Sequence, residues 1–168
     1  MDRLLAVIQR IPVLSLLILC GMTACSINPA ESYREIDGTT TERVAEISKL
    51  LSKKIPLPSS LLDAHLVEEQ IGDDRLGPSD FKSFCALTVY PADLPAWKAA
   101  LSKSTTWNRF SNDEEVKRAA PKKAQPWWVS GAALDALEFY SPHSLTDCAN
   151  GWVGIAPDGR IFVYFFTM

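Results

Sequence analysis

The C-terminal segment of this chain constrains its fold more than any other part. Two runs of β-forming residues, 152–155 and 161–166, flank a short turn that contains Asp158 and Gly159. Asp-Gly between two apolar runs is a strong local signal for a β-hairpin. The second run is apolar at successive positions, which is typical of a strand covered on both faces. The sequence therefore predicts a C-terminal β-hairpin whose last strand lies centrally in a sheet.

Helical and strand patterns alternate upstream of this hairpin. Apolar residues recur at spacings of three and four between Val44 and Leu51, and Thr39 with Glu42 has the spacing of a capping box. The pattern of residues 61–71 is ambiguous, and we expect a strand over part of it because a turn-like sequence at 72–74 and a second apolar run follow. That second run, 84–90, is rich in β-forming residues and predicts another strand. Together these patterns predict an α+β fold, with an antiparallel sheet of about four strands and two or three packed helices.

Two shorter helices are expected after the second strand. Asp93 is a suitable N-cap for a helix that carries Trp97 and Leu101, with Pro95 in its first turn. Ser130 is the expected cap of a second helix that carries Leu134 and Leu137. Between them, residues 103–125 predict a polar loop that is long for a compact domain.

The first 25 residues form a separate unit with the layout of a secretory signal peptide. Arg3 and Arg10 give a basic start, and the apolar run 11–22 spans 12 residues. A membrane-spanning helix needs about 20 residues, so export is favoured over a transmembrane anchor. Small residues then lead into Cys25.

The sequence Met22-Thr23-Ala24-Cys25 resembles the lipobox of bacterial lipoproteins. That resemblance covers residues 1–26 and implies cleavage before Cys25 and lipid attachment at its thiol, so that the membrane is contacted through the N-terminal lipid. Ser26, in place of Asp, implies an outer-membrane protein that faces the periplasm. The domain organisation that follows is a signal peptide at 1–24, a flexible tether at 25–40 and one globular domain at 41–168.

Charge and cysteine content limit the function and the compartment. With 17 basic and 20 acidic residues, the chain carries a net charge of −3, which argues against a nucleic-acid-binding protein. Cys85 and Cys148 are the two cysteines left after processing and lipidation. An oxidising periplasm permits a disulfide between them, and the alternative is two free thiols that pack as small apolar residues.

Few residues have the character of catalytic or metal-binding groups. His143 lies near Ser144 and Asp147, a set from which a small hydrolase could be built, but no nucleophile-elbow motif accompanies it. His65 has no second His or Cys at metal-ligand spacing and is interpreted as a partnered core or edge histidine. We therefore expect no metal and no cofactor.

Acidic and basic clusters flank the candidate strands and the polar loop. Glu68, Glu69 and Asp80 belong to an acidic group interpreted as a solvated turn, and Lys122 with Lys123 belongs to a basic group interpreted as a solvated loop.

Aromatic residues in and after the long polar loop are the best candidates for a partner-binding surface. Trp107, Arg109 and Phe110 lie within it, and Trp127 with Trp128 follows it. These residue types dominate interface energetics, although packing in the core is the simpler role for the tryptophan pair. The sequence thus favours a non-enzymatic envelope protein that binds an exported protein, as an inhibitor or immunity factor does, or a cell-wall component such as peptidoglycan. The alternative is the small envelope hydrolase at His143.

Overall fold

One antiparallel sheet organises the computed structural model, which describes residues 32–52, 55–72, 79–102 and 113–168. Within these residues the sheet has six strands in the order β1-β2-β3-β6-β5-β4. The strands are β1 (Tyr33–Glu35), β2 (Asp63–Ile71), β3 (Asp80–Thr88), β4 (Glu138–Tyr140), β5 (Gly151–Ile155) and β6 (Arg160–Phe166). The predicted α+β class and antiparallel sheet are confirmed, whereas the predicted count of about four strands is too low because both edge strands are only three residues long.

Five α-helices occur in the described part of the chain, more than the two or three predicted. They are α1 (Thr40–Leu51), α2 (Leu94–Leu101), α3 (Glu114–Lys117), α4 (Ala132–Asp135) and α5 (His143–Thr146), with a 3₁₀ turn at Pro91–Asp93. Three of them are single turns of four residues. Single turns are too short to show the periodicity that identifies a helix in a sequence.

Helix α1 begins as the sequence predicts. Thr39 accepts the backbone N–H of Glu42 on its side chain, and the Glu42 carboxylate accepts the backbone N–H of Thr39 at 2.8 Å. This reciprocal pair is a capping box. Its ionic hydrogen bonds hold the pKa of Glu42 below its usual value.

Of the two other predicted caps, one is confirmed in position and one is wrong. Asp93 is the N-cap residue of α2, with Pro95 in the first turn, but its side chain makes no capping hydrogen bond because residues 91–93 form a 3₁₀ turn that runs directly into α2. The N-cap of α4 is Gly131, not Ser130, and its positive φ of 56° suits glycine.

The C-terminal hairpin is confirmed, with β6 in a central position between β3 and β5. Ile155 pairs with Ile161, and Asp158 accepts the backbone N–H of Arg160 at 3.1 Å within the turn. Gly159 has a φ of 94°, and a Cβ atom there would come within 2.4 Å of the Val89 carbonyl oxygen. Glycine is therefore required at this turn for two independent reasons.

Both faces of the sheet are covered. One face packs on α1 and α2 through Leu66, Cys85, Leu87 and Val163, and we call it the helix face. The other, the strap face, lies beneath residues 113–137, which we call the strap. Strap-face residues from the four central strands include Val67, Phe84, Trp152, Phe162 and Tyr164.

Strand β1 lies inside the segment predicted as a tether. Tyr33, Arg34 and Glu35 pair with Glu69, Glu68 and Val67 of β2. The sheet therefore includes part of the segment 25–40, and residues 25–31, with Cys25 and the signal region, lie outside the described residues. No helix among the described residues is both long and apolar enough to span a bilayer.

Candidate functional site

Two tryptophans of the core hold the strap in place. Trp152, on β5, donates its indole N–H to the carbonyl oxygen of Val116 at 2.9 Å. Trp128 donates its indole N–H to the carbonyl oxygen of Ala119 at 3.1 Å. Both indole rings are buried, so these bonds satisfy polar groups that would otherwise be costly inside the core. They fix the height of residues 116–119 above the strap face.

A buried carboxylate holds the next part of the strap. Glu69, on β2, is 4% exposed and accepts the backbone N–H of Lys122 at 2.6 Å. Further along, the amide of Gln125 donates to the hydroxyl of Tyr33 at 2.6 Å, which ties the strap to β1. The sequence placed Glu69 in a solvated acidic turn, and this interpretation is wrong because Glu69 faces the strap.

A cleft of about 610 Å³ opens between the strap and one end of the strap face. Ligand-binding clefts in proteins typically measure roughly 300–1,000 Å³ and are mostly apolar with a few polar groups. This cleft has that composition. The lining from the sheet is Ile71, Asp80, Lys82, Phe84, Tyr164, Phe166, Thr167 and Met168, and the lining from the strap is Glu115, Val116, Arg118, Ala119 and Ala120.

Three aromatic rings stacked side by side form the floor of the cleft. Tyr164 stacks on Phe84, its direct partner across β3 and β6, with ring centroids 5.0 Å apart. It also stacks on Phe166, two residues along β6, at 5.5 Å. Both neighbours engage the Tyr164 ring, and all three residues are 7% exposed or less, so the floor is a tightly packed aromatic row.

Tyr164 is neutral at physiological pH. Burial, with a smaller contribution from the nearby negative charge of Glu69, raises the pKa of Tyr164 to about 12. The floor therefore supplies apolar contact and one neutral hydroxyl, with no group that exchanges protons near pH 7.

The rim of the cleft carries charges of both signs. Asp80 and Lys82 stand on the sheet side, and Glu115 and Arg118 on the strap side. Arg118 pairs with Glu114 at 3.0 Å and with Asp135 at 3.3 Å. These ion pairs are exposed and contribute little to stability, so the rim charges are available to a ligand at small cost.

The histidine nearest the tryptophan pair has partners at Nε2 and on its ring face. His65 Nε2 lies 3.2 Å from Asp63 Oδ2, and the imidazole stacks on Trp127 with ring centroids 5.3 Å apart. Asp63 in turn pairs with Arg43 at 2.6 Å. Burial opposes ionisation of Asp63, but hydrogen bonds from Arg43 and the Ala64 N–H, with the adjacent positive charges, hold its pKa below the usual value.

The residues predicted to bind a partner are only partly described. Trp107, Arg109 and Phe110 lie outside the described residues. Trp128 is 8% exposed and packs edge-on against Phe84, so it belongs to the core. Trp127 is half-buried on His65, and neither tryptophan lies in a strand.

The alternative hydrolase set does not form the hydrogen-bond relay that such chemistry uses. His143 Nδ1 is buried and has no hydrogen-bond partner. In a catalytic triad this atom donates to a carboxylate, which orients the ring. Asp147 instead ends α5 in the left-handed conformation, with φ at 65°, and its backbone N–H donates to the carbonyl oxygen of His143.

The predicted disulfide is not formed in the structure. Cys85 and Cys148 are both free thiols. Cys85 is enclosed at the centre of β3 on the helix face, and burial raises its pKa. Cys148 is half-buried after α5, and burial raises its pKa as well. The alternative that the sequence left open, two thiols packed as apolar residues, describes Cys85 well.

No group of three or more His, Cys, Asp or Glu side chains in the described part of the chain is arranged to hold a metal ion. No family model, no curated protein and no solved structure matches this chain.

The sequence analysis did not predict the cleft, although the sequence indicates part of its lining. Phe162, Tyr164 and Phe166 alternate along the last strand, so a row of aromatic rings on one face is readable from the sequence. The opposing wall comes from residues 115–120, which the sequence placed in a loop without indicating that they lie over those rings.

Proposed function

We propose that this chain is a lipid-anchored binding module of the bacterial cell envelope whose cleft receives apolar side chains of an exported protein. The observation that carries the proposal is the cleft itself, with three stacked rings as its floor and a charged rim around it. Buried apolar anchors surrounded by polar rim contacts are the usual arrangement of a protein–protein hot spot.

Ring geometry favours a protein ligand over a glycan. Sugars stack on open aromatic faces, but the faces of Tyr164 are engaged by Phe84 and Phe166. A peptidoglycan fragment is the second ligand class, and it would have to bind through the rim.

The mixture of acidic and basic residues on the rim favours a ligand without a large net charge. Asp80 and Glu115 are balanced by Lys82 and Arg118 around the opening. A ligand with both signs of charge, such as a folded protein surface, finds complementary partners here, whereas a polyanion is repelled by half of the rim.

The membrane anchor is the second part of the proposal and is supported by residues 1–26. Cleavage before Cys25 and acylation of its thiol place the domain at the periplasmic face of the outer membrane. Two or three acyl chains, as in the lipoproteins that this segment resembles, give stable anchoring where one gives only marginal binding. Cys25→Ala is expected to abolish palmitate incorporation and to leave an unprocessed or soluble protein. A variant that still incorporates palmitate and fractionates with membranes contradicts the anchor.

Photo-crosslinking in intact cells tests the binding site. A photoreactive amino acid at Arg118, on the rim, is expected to form a discrete adduct with an exported protein. The same amino acid at Ala99, an exposed position of α2 under the opposite face of the sheet, is the matched control. Adducts of equal yield from both positions, or from Ala99 alone, contradict the proposed site.

The variant His143→Ala distinguishes the hydrolase alternative from a binding function. A hydrolase that uses His143 with Ser144 or Asp147 loses its activity in this variant, whereas the crosslinking yield of a binding module stays unchanged. The unpartnered Nδ1 of His143 favours the second outcome.

A further inference from the structure

The first strand of the sheet has two neighbours, β2 beside it and the strap above it. Within the described residues, the three residues of β1 pair with residues 67–69 of β2 alone, at the edge of the sheet. A pairing of this length is marginal in water unless other contacts support it. Side-chain contacts therefore decide whether β1 stays on the sheet.

Two side chains of β1 point toward the strap. Tyr33 and Glu35 pair in register with Glu69 and Val67, and Val67 belongs to the strap face. The Tyr33 hydroxyl accepts the amide N–H of Gln125 at 2.6 Å and donates to the Glu35 carboxylate at 2.9 Å. Hydrogen bonds in such a chain polarise and strengthen one another. Partial burial and the Glu35 carboxylate raise the pKa of Tyr33 to about 12, so the hydroxyl keeps the proton that it donates.

Lys123 adds an ionic contact between the same two elements. Its ammonium nitrogen lies 3.7 Å from Glu35 Oε2 and 5.7 Å from the centroid of the Tyr33 ring. We call Tyr33 and Glu35 of β1, together with Lys123 and Gln125 of the strap, the latch. Its contacts are partly exposed to solvent, and exposed contacts are individually weak. The latch can therefore open while the core of the domain stays folded.

Three consecutive residues of the strap join the latch to the wall of the cleft. Ala120 lines the cleft, Pro121 is buried, and Lys122 donates its backbone N–H to the Glu69 carboxylate at 2.6 Å. Because proline fixes its own φ, the chain between the wall and the latch has little freedom to bend. Movement of the strap away from β1 therefore displaces the wall at Ala120.

We propose that β1 and the strap open and close as one unit, and that this unit regulates the cleft. The strap holds the wall of the cleft in one position while the latch is closed, and it releases the wall when the latch opens. A ligand that binds the closed cleft therefore stabilises the pairing of β1, and paired β1 raises the affinity for that ligand by the same factor. The coupling of strand and strap follows from the latch alone, and only its effect on a ligand rests on the proposed binding function.

Hydrogen exchange of the full chain, measured by mass spectrometry, tests the coupling. Amides that exchange through a local opening exchange faster when the contacts that oppose this opening are weakened. In Tyr33→Ala we expect the amides of residues 122–125 to exchange about fivefold faster, the effect of losing about one hydrogen bond. In Gln125→Ala we expect a similar acceleration at residues 33–36, because coupling between two sites is reciprocal.

Each element offers a matched control. Arg34 lies in β1 between the two latch residues but on the helix face, where it pairs with Glu46 of α1. Arg34→Ala is expected to leave exchange in the strap unchanged. Asp135 lies in the strap outside the latch and pairs with Arg118. Asp135→Ala is expected to leave exchange in β1 unchanged.

The segment in which exchange accelerates decides the outcome. Faster exchange in β1 alone in Tyr33→Ala, with residues 122–125 as in the parent, overturns the coupling. If Tyr33→Ala accelerates exchange in β3 and β6 as well, Tyr33→Phe decides, because it removes the hydroxyl and keeps the ring. Unchanged exchange at residues 122–125 in that variant overturns the coupling too. If the latch variants behave as expected but the parent forms no adduct from Arg118, the binding function fails and the coupling stands.

Discussion

The carboxylate of Glu69 on β2 accepts the backbone N–H of Lys122 on the strap, at 2.6 Å and almost fully shielded from solvent. Hydrogen bonds to buried charged groups contribute about 1.5–3 kcal/mol, more than those between neutral groups. This bond joins the strap to the sheet just after the residues that form the wall of the cleft. The strap is therefore held by this acidic side chain as well as by the indole N–H bonds of Trp128 and Trp152.

Glu69→Ala is expected to lower the free energy of unfolding by about 2 kcal/mol, because the Lys122 N–H loses its acceptor in a shielded site. Glu69→Gln keeps an acceptor oxygen at the same place, and we expect it to cost less than half as much. Urea denaturation of the three proteins measures both effects. Equal stability of the alanine variant and the parent would show that the strap does not depend on this bond.

The two adjacent tryptophans are expected to differ sharply on truncation. Trp128 is buried among four aromatic rings and bonds to Ala119, so Trp128→Ala removes core volume and is expected to cost about 3–5 kcal/mol. Trp127 is half-buried on His65, and its alanine variant is expected to cost less than half of that. Thermal unfolding distinguishes the two. Similar losses for both variants would contradict the division into a core ring and a surface ring.

The Asp63–Arg43 pair predicts a pH-dependent part of the stability. Because the pKa of Asp63 is lowered in the folded state, its contribution is complete above the unfolded-state pKa of about 4 and is lost as the pH falls through the folded-state pKa. The melting temperatures of the parent and of Asp63→Asn should therefore differ at pH 7 and converge as the pH falls through the folded-state pKa of Asp63.

Glu46→Gln is the control for this titration. It breaks the Arg34–Glu46 pair, whose charged atoms are 3.0 Å apart and whose side chains are about half exposed, and exposed pairs contribute little at any pH. If the difference in melting temperature between the parent and Asp63→Asn stayed the same at acidic pH, the stability would come from something other than the ionised carboxylate.

Cys85 and Cys148 are expected to be thiols that react with a thiol reagent at different rates. In the folded protein Cys148 should react with a thiol reagent well before Cys85, because Cys85 is enclosed by the core and burial raises its pKa. After denaturation without reductant, both thiols should react with the reagent. Absence of thiols after denaturation of protein taken from the periplasm would restore the disulfide that the sequence suggested.

Local signals in the sequence predicted the elements whose causes are local. The capping box at Thr39 and Glu42 and the Asp158-Gly159 hairpin depend on residues within a few positions of each other, and both are confirmed. The unbroken apolar run 161–166 also predicted the central position of β6 in the sheet.

Features that depend on contacts between distant residues were not predictable in this way. Strand β1 exists only because Tyr33–Glu35 pairs with residues 67–69, and three residues carry too little pattern to identify a strand. The acidic character of Glu69 suggests an exposed position in the sequence, but the strap buries it, with Lys122, 53 residues away, as its hydrogen-bond donor. The cleft depends on both kinds of feature. Its floor is a row of aromatic residues that the sequence of β6 indicates, whereas the position of its wall depends on contacts between distant residues.

The most direct test of the central claim is the yield of the Arg118 photo-crosslink after the cleft is filled. Ala120 is exposed and lines the cleft, so Ala120→Trp blocks it without altering the Ala119 carbonyl that bonds to Trp128. We predict a loss of partner adduct of about tenfold or more, the equivalent of at least 1.4 kcal/mol of binding free energy. Ala99→Trp, on α2 under the opposite face, is predicted to leave the yield unchanged. Equal yields from the two tryptophan variants would contradict the assignment of the cleft as the binding site.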